Sequence, residues 1–400
     1  MRVLMLSKAC LVGAYQRKLE EIAARPGIEL TVAVPPAWRD ERGWTRLERA
    51  YVRGYELVVE PVRFNGSFHL HYYPGFGRLL ARVRPDLVHL DEEPYNLATW
   101  HAQRLALGQG ARTLFFSWQN LLRRYPWPFS RLEREVLCRS TAGIVGNQEA
   151  VEVWRAKGFK GPLRVIPQFG VDPELFQPDP AARAANGADT FVVGYAGRLV
   201  HEKGVDLLLR AAAQLPADVQ VRLVGAGPEQ KALERLGQQL GLGQRLSIKP
   251  LAPSTQMPRM LAGFDCLVLA SRSRPNWKEQ FGRVLVEAMA CGAPVVGSTC
   301  GEAPNVIGDA GLIFPEEDVA ALAQHLRALH ADPALRADLA QRGRARVLAN
   351  FTQQRVAADT VALYEEVMGH FCFQISLQKA IFFHLLKKQI HSRSFDFHEI

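Results

Sequence analysis

Residues 277–296 read WKEQFGRVLVEAMACGAPVV, and this stretch determines what kind of fold the rest of the chain must complete. Apolar residues at helical spacing predict a helix that starts after Gly282 and stops before Gly292, and the residues that follow are typical of a strand. Glu279 then lies in the loop before the helix, while Glu287 lies about one and a half turns inside it.

The start of this helix indicates the kind of ligand that the stretch binds. Free backbone N–H groups at a helix start attract anions, whereas carboxylates beside such a start repel phosphate. Glu279 and Glu287, with Phe281 and Gly282 between them, therefore suit a ligand with phosphate in the middle and hydroxyl groups at both ends. A nucleotide-sugar has this form, and two surface acids on a helix are the alternative interpretation.

Strands and helices alternate on both sides of this stretch. Strands are expected at Arg2–Leu6, Ile28–Val34, Glu56–Val59, Asp86–Leu90, Thr113–Phe116, Gly143–Val145, Arg164–Ile166, Phe191–Ala196, Gln220–Val224, Leu246–Lys249, Cys266–Leu269, Pro294–Val296 and Leu312–Phe314. Such alternation indicates parallel sheets covered by helices on both faces. The sequence therefore predicts an α/β fold with two doubly wound, Rossmann-like domains that face a central cleft.

The net charge of +9 is unevenly distributed. Residues 1–170 contain 25 Lys and Arg against 16 Asp and Glu, whereas residues 171–400 contain 24 of each. An Arg-rich solvated surface explains this excess as well as a face for an anionic membrane or an anionic acceptor does. Nucleic acid is not expected as a partner, because no binding motif accompanies the charge.

Composition indicates a cytoplasmic protein. The six cysteines form no CxxC pair, which fits a reducing compartment better than a disulfide framework or a zinc site. Neither a signal peptide nor a membrane-spanning run is expected. Trp38–Arg53 is predicted to form an Arg-rich, solvated helix, with contact to a membrane surface as the alternative.

Two further segments of the second half carry candidate ligand-binding residues. Arg198 and Lys203 lie beside Gly197 in a loop that follows a predicted strand, and two cations there suit a diphosphate. Gly225 and Gly227 follow the next strand, where they would let a flat group approach the backbone. A tight turn before a helix that begins with proline explains these two glycines equally well.

Together these segments resemble the family 4 (group 1) retaining glycosyltransferases, which have the fold called GT-B. The resemblance covers residues 1–368 and is strongest over 191–315, where an E-x7-E motif falls on Glu279 and Glu287. It implies that Glu279 binds the donor sugar, that Glu287 binds the ribose, and that Arg198 and Lys203 bind the donor diphosphate. Catalysis is thus expected from Glu279, Arg198 and Lys203, and donor binding from Glu287, Phe281, Gly282, Gly197, Gly225 and Gly227.

The same resemblance divides the chain into four parts. It implies an acceptor-binding domain over 1–174, a donor-binding domain over 175–351 and a helix over 352–368 that crosses back to the first domain. Residues 369–400 have a different composition and are expected to form an appended tail that is either disordered or lies at a membrane interface.

The acceptor side departs from the family pattern. Gly13 is similar to the first-loop glycine near the acceptor, and His89 matches an H-x-H or H-x-D segment only in part. Gln119, or a neighbour, stands where most members have a histidine at the transferred sugar, and Gln280 replaces a common glycine. Gly13, His89 and Gln119 are the candidates for acceptor binding.

The resemblance implies a transferase that moves a sugar from a nucleotide-diphosphate sugar to a saccharide or lipid-linked acceptor. Surface polysaccharide or glycolipid synthesis is the expected setting, in the cytoplasm or at the cytoplasmic face of a membrane. No metal and no cofactor beyond the donor substrate is expected. A nucleotide-sugar hydrolase or epimerase of the same fold, or a binding protein without transfer activity, are the alternatives.

Overall fold

The computed structural model describes residues 1–40, 43–187, 189–250 and 256–369. The predicted tail therefore lies outside the described residues apart from Gly369. Two parallel sheets follow one another along the chain, one with seven strands and one with six, and an antiparallel ribbon of two strands accompanies the first. Each predicted strand is present with ends within two residues of the expected ones, so the α/β prediction is confirmed.

Within the described residues, the first half contains nine strands and five α-helices. In chain order they are β1 (Arg2–Leu6), α1 (Arg17–Ala23), β2 (Glu29–Val34), β3 (Ala37–Asp40), β4 (Gly43–Arg46), β5 (Glu56–Val59), α2 (Phe76–Val83), β6 (Leu87–Leu90), α3 (Leu97–Gly108), β7 (Arg112–Ser117), α4 (Phe129–Arg139), β8 (Ala142–Val145), α5 (Gln148–Ala156) and β9 (Leu163–Val165). Short 3₁₀ helices lie at Ala9–Leu11 and Gly13–Gln16.

The second half continues the alternation. Its elements are α6 (Pro180–Ala184), β10 (Phe191–Ala196), α7 (Val205–Ala212), β11 (Val219–Val224), α8 (Gln230–Gln239), β12 (Leu246–Lys249), α9 (Met257–Ala262), β13 (Cys266–Leu269), α10 (Arg283–Ala290), β14 (Val295–Ser298), α11 (Ala303–Ile307), β15 (Leu312–Phe314), α12 (Val319–Ala331) and α13 (Pro333–Asn350). Short 3₁₀ helices lie at His201–Lys203 and Gly243–Arg245. Residues 353–369 are helical and are called α14.

The strand order locates the sites where ligands bind in such folds. The first sheet is ordered β5-β2-β1-β6-β7-β8-β9, and the second is ordered β12-β11-β10-β13-β14-β15. In the first sheet, successive strands run from β1 to one edge and then from β6 to the other edge, so the direction of winding reverses between β1 and β6. In the second sheet it reverses between β10 and β13. Doubly wound sheets bind ligands at the carboxyl ends of the strands at this reversal. The loops after β1, β6, β10 and β13 are therefore the candidate ligand-binding loops.

Helix α14 belongs to the core of the first half. Its apolar residues, among them Val356, Val361 and Tyr364, are buried in one cluster with residues of β1 and β2. Burial of this face accounts for the helix, because an amphipathic helix is stabilised mainly by the core it covers. Whether residues 1–174 and 175–351 fold as separate units stays a prediction.

The predicted solvated helix over Trp38–Arg53 is wrong. The structure has an antiparallel ribbon there, in which β3 pairs with β4 and Trp38 lies opposite Thr45. In β4 the half-buried Gly43 and Thr45 alternate with the exposed Trp44 and Arg46. This alternation has the two-residue period of a strand, and Trp and Thr favour strands over helices. No helix of the described residues is long and apolar enough to cross a membrane.

Candidate functional site

The loop before α10 holds Glu279 at the reversal of the second sheet. Gly282 precedes the helix with a φ of 74°. A Cβ on Gly282 would lie 2.9 Å from Leu285 Cδ1 and 3.0 Å from Leu269 Cδ2, so a larger residue would be strained there. The apolar face of α10 is buried against the second sheet, which places the helix start at the sheet's carboxyl edge.

Glu279 and Lys203 form an ion pair. Lys203 Nζ lies 2.5 Å from Glu279 Oε2, which also accepts a hydrogen bond of 2.8 Å from Ser271 Oγ. The carboxylate is 6% exposed, and the ammonium lies 5.0 Å from the centroid of the Trp277 ring. The sequence placed Glu279 at the donor sugar and Lys203 at the diphosphate. The structure brings the two residues together and adds Ser271 and Trp277, which sequence analysis missed.

Glu287 also has a cationic partner. Arg283 Nε lies 2.7 Å from Glu287 Oε1, one helical turn away. Burial raises the pKa of Glu287 and the Arg283 guanidinium opposes that rise. The guanidinium carbon lies 4.7 Å from the ring centroid of Tyr15, whose ring stacks on Phe169 at 3.7 Å. The second carboxylate of the motif is thus linked through Arg283 to the first half of the chain.

Gly225 and Gly227 allow two loops of the second half to touch. A Cβ on Gly225 would lie 1.8 Å from the carbonyl oxygen of Gly197, and a Cβ on Gly227 would lie 2.2 Å from that of Leu199. Hydrogen bonds between Gly197 N and Val224 O and between Leu199 N and Ala226 O join the same loops. The two glycines thus permit the close approach of these loops, which hold the exposed Arg198 at the carboxyl edge of the sheet.

A cavity of about 680 Å³ lies between the two halves. The first half contributes the loop after β1, the ribbon and a set of aromatic rings, and the second half contributes residues 279–283. The residues that line it are Lys8, Ala9, Leu11, Val12, Tyr15, Trp38, Asp40, Thr45, Phe68, Trp118, Gln168, Phe169, Glu279, Gln280, Phe281, Gly282 and Arg283. Phe281 packs on Trp118, with 5.7 Å between ring centroids.

The loop after β1 places a cation in this cavity. Lys8 Nζ lies 2.8 Å from Glu92 Oε2, and the ammonium lies 5.0 Å from the ring centroid of Trp38 and 4.7 Å from that of Phe68. Burial raises the pKa of Glu92, but Lys8 and His71 outweigh this effect and lower it to about 2. Sequence analysis missed this group, for which the available signal was a charged residue two positions after a buried strand.

The three acceptor-side candidates lie outside the cavity lining. Gly13 N donates a hydrogen bond of 2.7 Å to Glu48 Oε2, although its neighbour Val12 lines the cavity. Gln119 is buried, and its side chain donates to the carbonyl oxygen of Leu121 at 2.8 Å. The next residue back, Trp118, lines the cavity in its place.

His89 lies beneath α14. Its Nδ1 is 2.6 Å from the hydroxyl oxygen of Tyr364, while Nε2 is buried without a hydrogen-bond partner among the described residues. Burial lowers the pKa of His89 to about 4; Lys18 lowers it further and Asp91 raises it. This environment is that of a structural histidine.

We expect His89→Asn to reduce the pH dependence of stability. The pKa of His89 is about 4 in the folded chain, and that of an unfolded histidine is about 6.5, so the unfolded chain binds more protons between these values. The wild-type protein should therefore lose stability as pH falls through this window, and the variant should lose less. Thermal melts at about pH 7 and pH 5 measure the difference, and an equal fall in both proteins would contradict the expectation.

Two family models match the chain. One, described as glycosyl transferases group 1, matches residues 179–346, and the other, a glycosyl transferase 4-like domain, matches residues 12–168. Together they cover most of the chain, with all strands of the second sheet and all strands of the first sheet except β1. The chain belongs to the group 1 glycosyltransferases. This confirms the group 1 membership that the E-x7-E stretch and the Arg198–Lys203 loop had indicated, while the retaining stereochemistry stays a prediction.

Group 1 glycosyltransferases among the curated proteins include relatives of moderate identity. The D-inositol 3-phosphate glycosyltransferase of Mycobacterium tuberculosis is 33% identical over 257 residues, which cover 60% of this chain and 51% of that protein. The D-inositol 3-phosphate glycosyltransferase 1 of Catenulispora acidiphila is 38% identical over 183 residues, which cover 41% of this chain and 43% of that protein. The matched part of the chain thus spans about half the length of the first of these relatives and less than half of the second.

Solved structures agree with the fold of this group 1 chain. Sucrose-phosphate synthase from Thermosynechococcus elongatus superposes with a TM-score of 0.69 at 22% identity, covering 92% of this chain and 100% of that one. HepE from Anabaena, in complex with UDP, gives a TM-score of 0.71 at 21% identity with the same coverage. At these identities the likeness shows the fold alone, and it confirms the predicted GT-B arrangement of two Rossmann-like domains.

Proposed function

We propose that the chain is a retaining glycosyltransferase that moves a sugar from a nucleotide-diphosphate sugar to a saccharide or lipid-linked acceptor. The observation that carries the proposal is the Lys203–Glu279 pair, which lies beside the start of α10 at the edge of a cavity between two halves. A cation for phosphate and a carboxylate for hydroxyl groups are adjacent there. The family membership and the UDP-glucose in a further HepE structure support a nucleotide-sugar as donor.

The donor-binding roles follow from charge. Lys203, Arg198 and the free N–H groups at the start of α10 attract the diphosphate, because each places positive charge at the same sheet edge. Glu279 would accept hydrogen bonds from the sugar, and Glu287 from the ribose. Donor binding would then divide the Lys203–Glu279 pair, with the ammonium turning to phosphate and the carboxylate to hydroxyl groups.

The reaction that these groups suit is substitution at the anomeric carbon on the face of the leaving phosphate. The bond from the anomeric carbon to the phosphate oxygen breaks, the bond to the acceptor oxygen forms on the same face, and the acceptor proton passes to the leaving phosphate. Negative charge grows on the diphosphate during this step. Lys203, Arg198 and the helix start stabilise that charge more in the transition state than before it.

The acceptor face is proposed to bind a sugar ring. Trp38, Phe68 and Trp118 present aromatic surface to the cavity, and such surface packs against the C–H faces of sugar rings. Lys8 would donate hydrogen bonds to acceptor hydroxyls, while its charge is balanced by the buried Glu92. The relatives named for D-inositol 3-phosphate act on a ring rich in hydroxyls, which agrees with this proposal.

An anionic membrane surface is proposed as a further partner, since it would supply a lipid-linked acceptor. Trp44 is 62% exposed and Trp127 78% exposed, both on the half of the chain that carries the excess of Lys and Arg. Exposed Trp beside cationic residues favours the interfacial region of anionic bilayers. Sedimentation with vesicles of phosphatidylserine and of phosphatidylcholine tests this, and equal binding to both or to neither would contradict it.

A panel of nucleotide-sugars read by thermal shift tests the donor proposal. A ligand that binds only the folded state at about 100 times its Kd stabilises it by about 2.7 kcal/mol, so the true donor should raise Tm clearly. Glu279→Gln should lose part of the shift given by the sugar nucleotide but retain that given by the free nucleotide diphosphate. A panel in which no nucleotide or nucleotide-sugar raises Tm would contradict the proposal.

Product analysis separates the alternatives. If the donor is consumed equally with and without an acceptor, the chain hydrolyses or epimerises a nucleotide-sugar. If the donor binds and no candidate acceptor is glycosylated, the chain is a binding protein. Transfer with retention predicts a glycosidic product of the same anomeric configuration as the donor, which proton NMR coupling constants identify.

A further inference from the structure

Residues 276–280, here called the donor loop, form hydrogen bonds and an ion pair with the first half of the chain. Lys278 Nζ lies 2.6 Å from Glu149 Oε1, Gln280 Nε2 donates to the carbonyl oxygen of Trp118 at 3.0 Å, and Arg123 donates to that of Asn276. The donor loop precedes α10, whereas Trp118 directly follows β7 and Glu149 lies in the first turn of α5. These contacts thus cross the cleft between the two sheets.

Asn120 brings these contacts to Glu279 itself. Asn120 Nδ2 lies 3.2 Å from the main-chain oxygen of Glu279 and 3.1 Å from Glu149 Oε2. Glu149 therefore accepts from both Asn120 and Lys278, one on each side of the cleft. Asn120 and Glu279 are both buried, so bulk water cannot replace a lost hydrogen bond there as it does at an exposed site.

The second half also holds the main-chain carbonyl group of Glu279. Glu302 N donates to Glu279 O at 3.0 Å, and a Cβ on Gly301 would lie 2.1 Å from that oxygen. The Glu302 carboxylate in turn accepts from Gln148 N, at the start of α5, at 3.1 Å. The first turn of α5 is therefore a second place, beside the loop after β7, where the second half of the chain meets the first, and carboxylates are favoured at a helix start.

We infer that Asn120 and Glu149 are positioning residues that fix the main chain of Glu279 from the far side of the cleft. Neither residue lines the cavity. They act through Glu279, whose carboxylate must remain beside Ser271 at the edge of the cavity to meet the sugar. A displacement of about 1 Å at such a group costs up to about a hundredfold in rate. The expected effect on sugar transfer rests on the proposed function. The expected effect on amide hydrogen exchange in the donor loop does not.

Glu149→Gln tests the inference, with Glu366→Gln as the matched control. Both residues form ion pairs of 2.6 Å, and their side chains are 29% and 27% exposed, but Glu366 pairs with Arg164, away from the donor loop. Glu149→Gln should lower kcat of transfer about tenfold, as the loss of one charged hydrogen-bond partner does. The donor Kd should change less than twofold, and Glu366→Gln should resemble wild type in both.

A charge exchange separates positioning from a general loss of structure. Glu149→Lys and Lys278→Glu each break the pair, whereas the double variant restores it with reversed charges and should recover much of kcat. Amide hydrogen exchange without ligand provides a readout that does not depend on activity. Exchange in residues 276–282 should be faster in Glu149→Gln and in Asn120→Ala than in Glu366→Gln.

The outcomes distinguish this inference from the proposed function. If exchange in the donor loop is the same in Glu149→Gln and Glu366→Gln, or if the double variant is no better than the single ones, Asn120 and Glu149 do not position Glu279. If the loop responds as expected but wild type neither binds a nucleotide-sugar nor transfers one, the positioning holds and the proposed function is wrong.

Discussion

Replacing Glu279 with Gln should lower the rate of sugar transfer by about two to three orders of magnitude, the loss expected for one transition-state contact. Gln keeps the shape of the side chain and a hydrogen bond with Ser271, but it cannot pair with Lys203 or accept two strong hydrogen bonds from a sugar. Steady-state kinetics with the donor identified by thermal shift would measure the effect.

Glu133→Gln is the matched control for this variant. Glu133 is 8% exposed and pairs with Lys157, much as Glu279 is 6% exposed and pairs with Lys203. Each substitution removes one buried carboxylate from one lysine, so their effects on Tm should be similar. Only Glu279→Gln should affect transfer. Near-normal turnover in Glu279→Gln would contradict the role proposed for it, whatever the control shows.

Local pattern was sufficient to predict the sheets and the place of Glu279. Buried parallel strands are continuous apolar runs bounded by Gly, Pro or charged residues, as in Phe191–Ala196 and Cys266–Leu269. The positive φ of Gly282 and the apolar spacing of residues 285–289 fix the start and the buried face of α10. The ribbon of β3 and β4 was missed because each strand has only four residues. So short an alternation of apolar and polar residues does not outweigh apolar residues at helical spacing in the same segment.

Contacts between distant segments could not be predicted in this way. Lys203 and Glu279 are 76 positions apart, and they meet because β10 lies next to β13 in the sheet, an order that periodicity does not reveal. The same holds for His89, which is buried because α14 covers that face of β6. The cavity residues Lys8, Tyr15 and Trp38 likewise depend on how the loops after β1 and β2 fold over one another.

The Lys203–Glu279 pair allows a second experiment with a large expected effect. If Lys203 served only to hold Glu279 in place, Lys203→Met would lower transfer no further than Glu279→Gln does, and the double variant would resemble either single one. The proposed mechanism gives Lys203 a second role, at the diphosphate. Lys203→Met should therefore lower kcat by about two orders of magnitude or more, and it should also weaken binding of the free nucleotide diphosphate, which Glu279→Gln leaves intact.

The double variant decides between the two accounts of Lys203. Separate contacts with sugar and diphosphate predict that Lys203→Met with Glu279→Gln is slower than either single variant, because the donor loses a partner at each end. Lys157→Met breaks the buried ion pair with Glu133 and is the control. It shows what the loss of a lysine beside a buried carboxylate does away from the donor site. Unchanged affinity for the nucleotide diphosphate in Lys203→Met would show that the ammonium only supports Glu279. The charge on the leaving group would then have to be stabilised by Arg198 and the amides at the start of α10 alone.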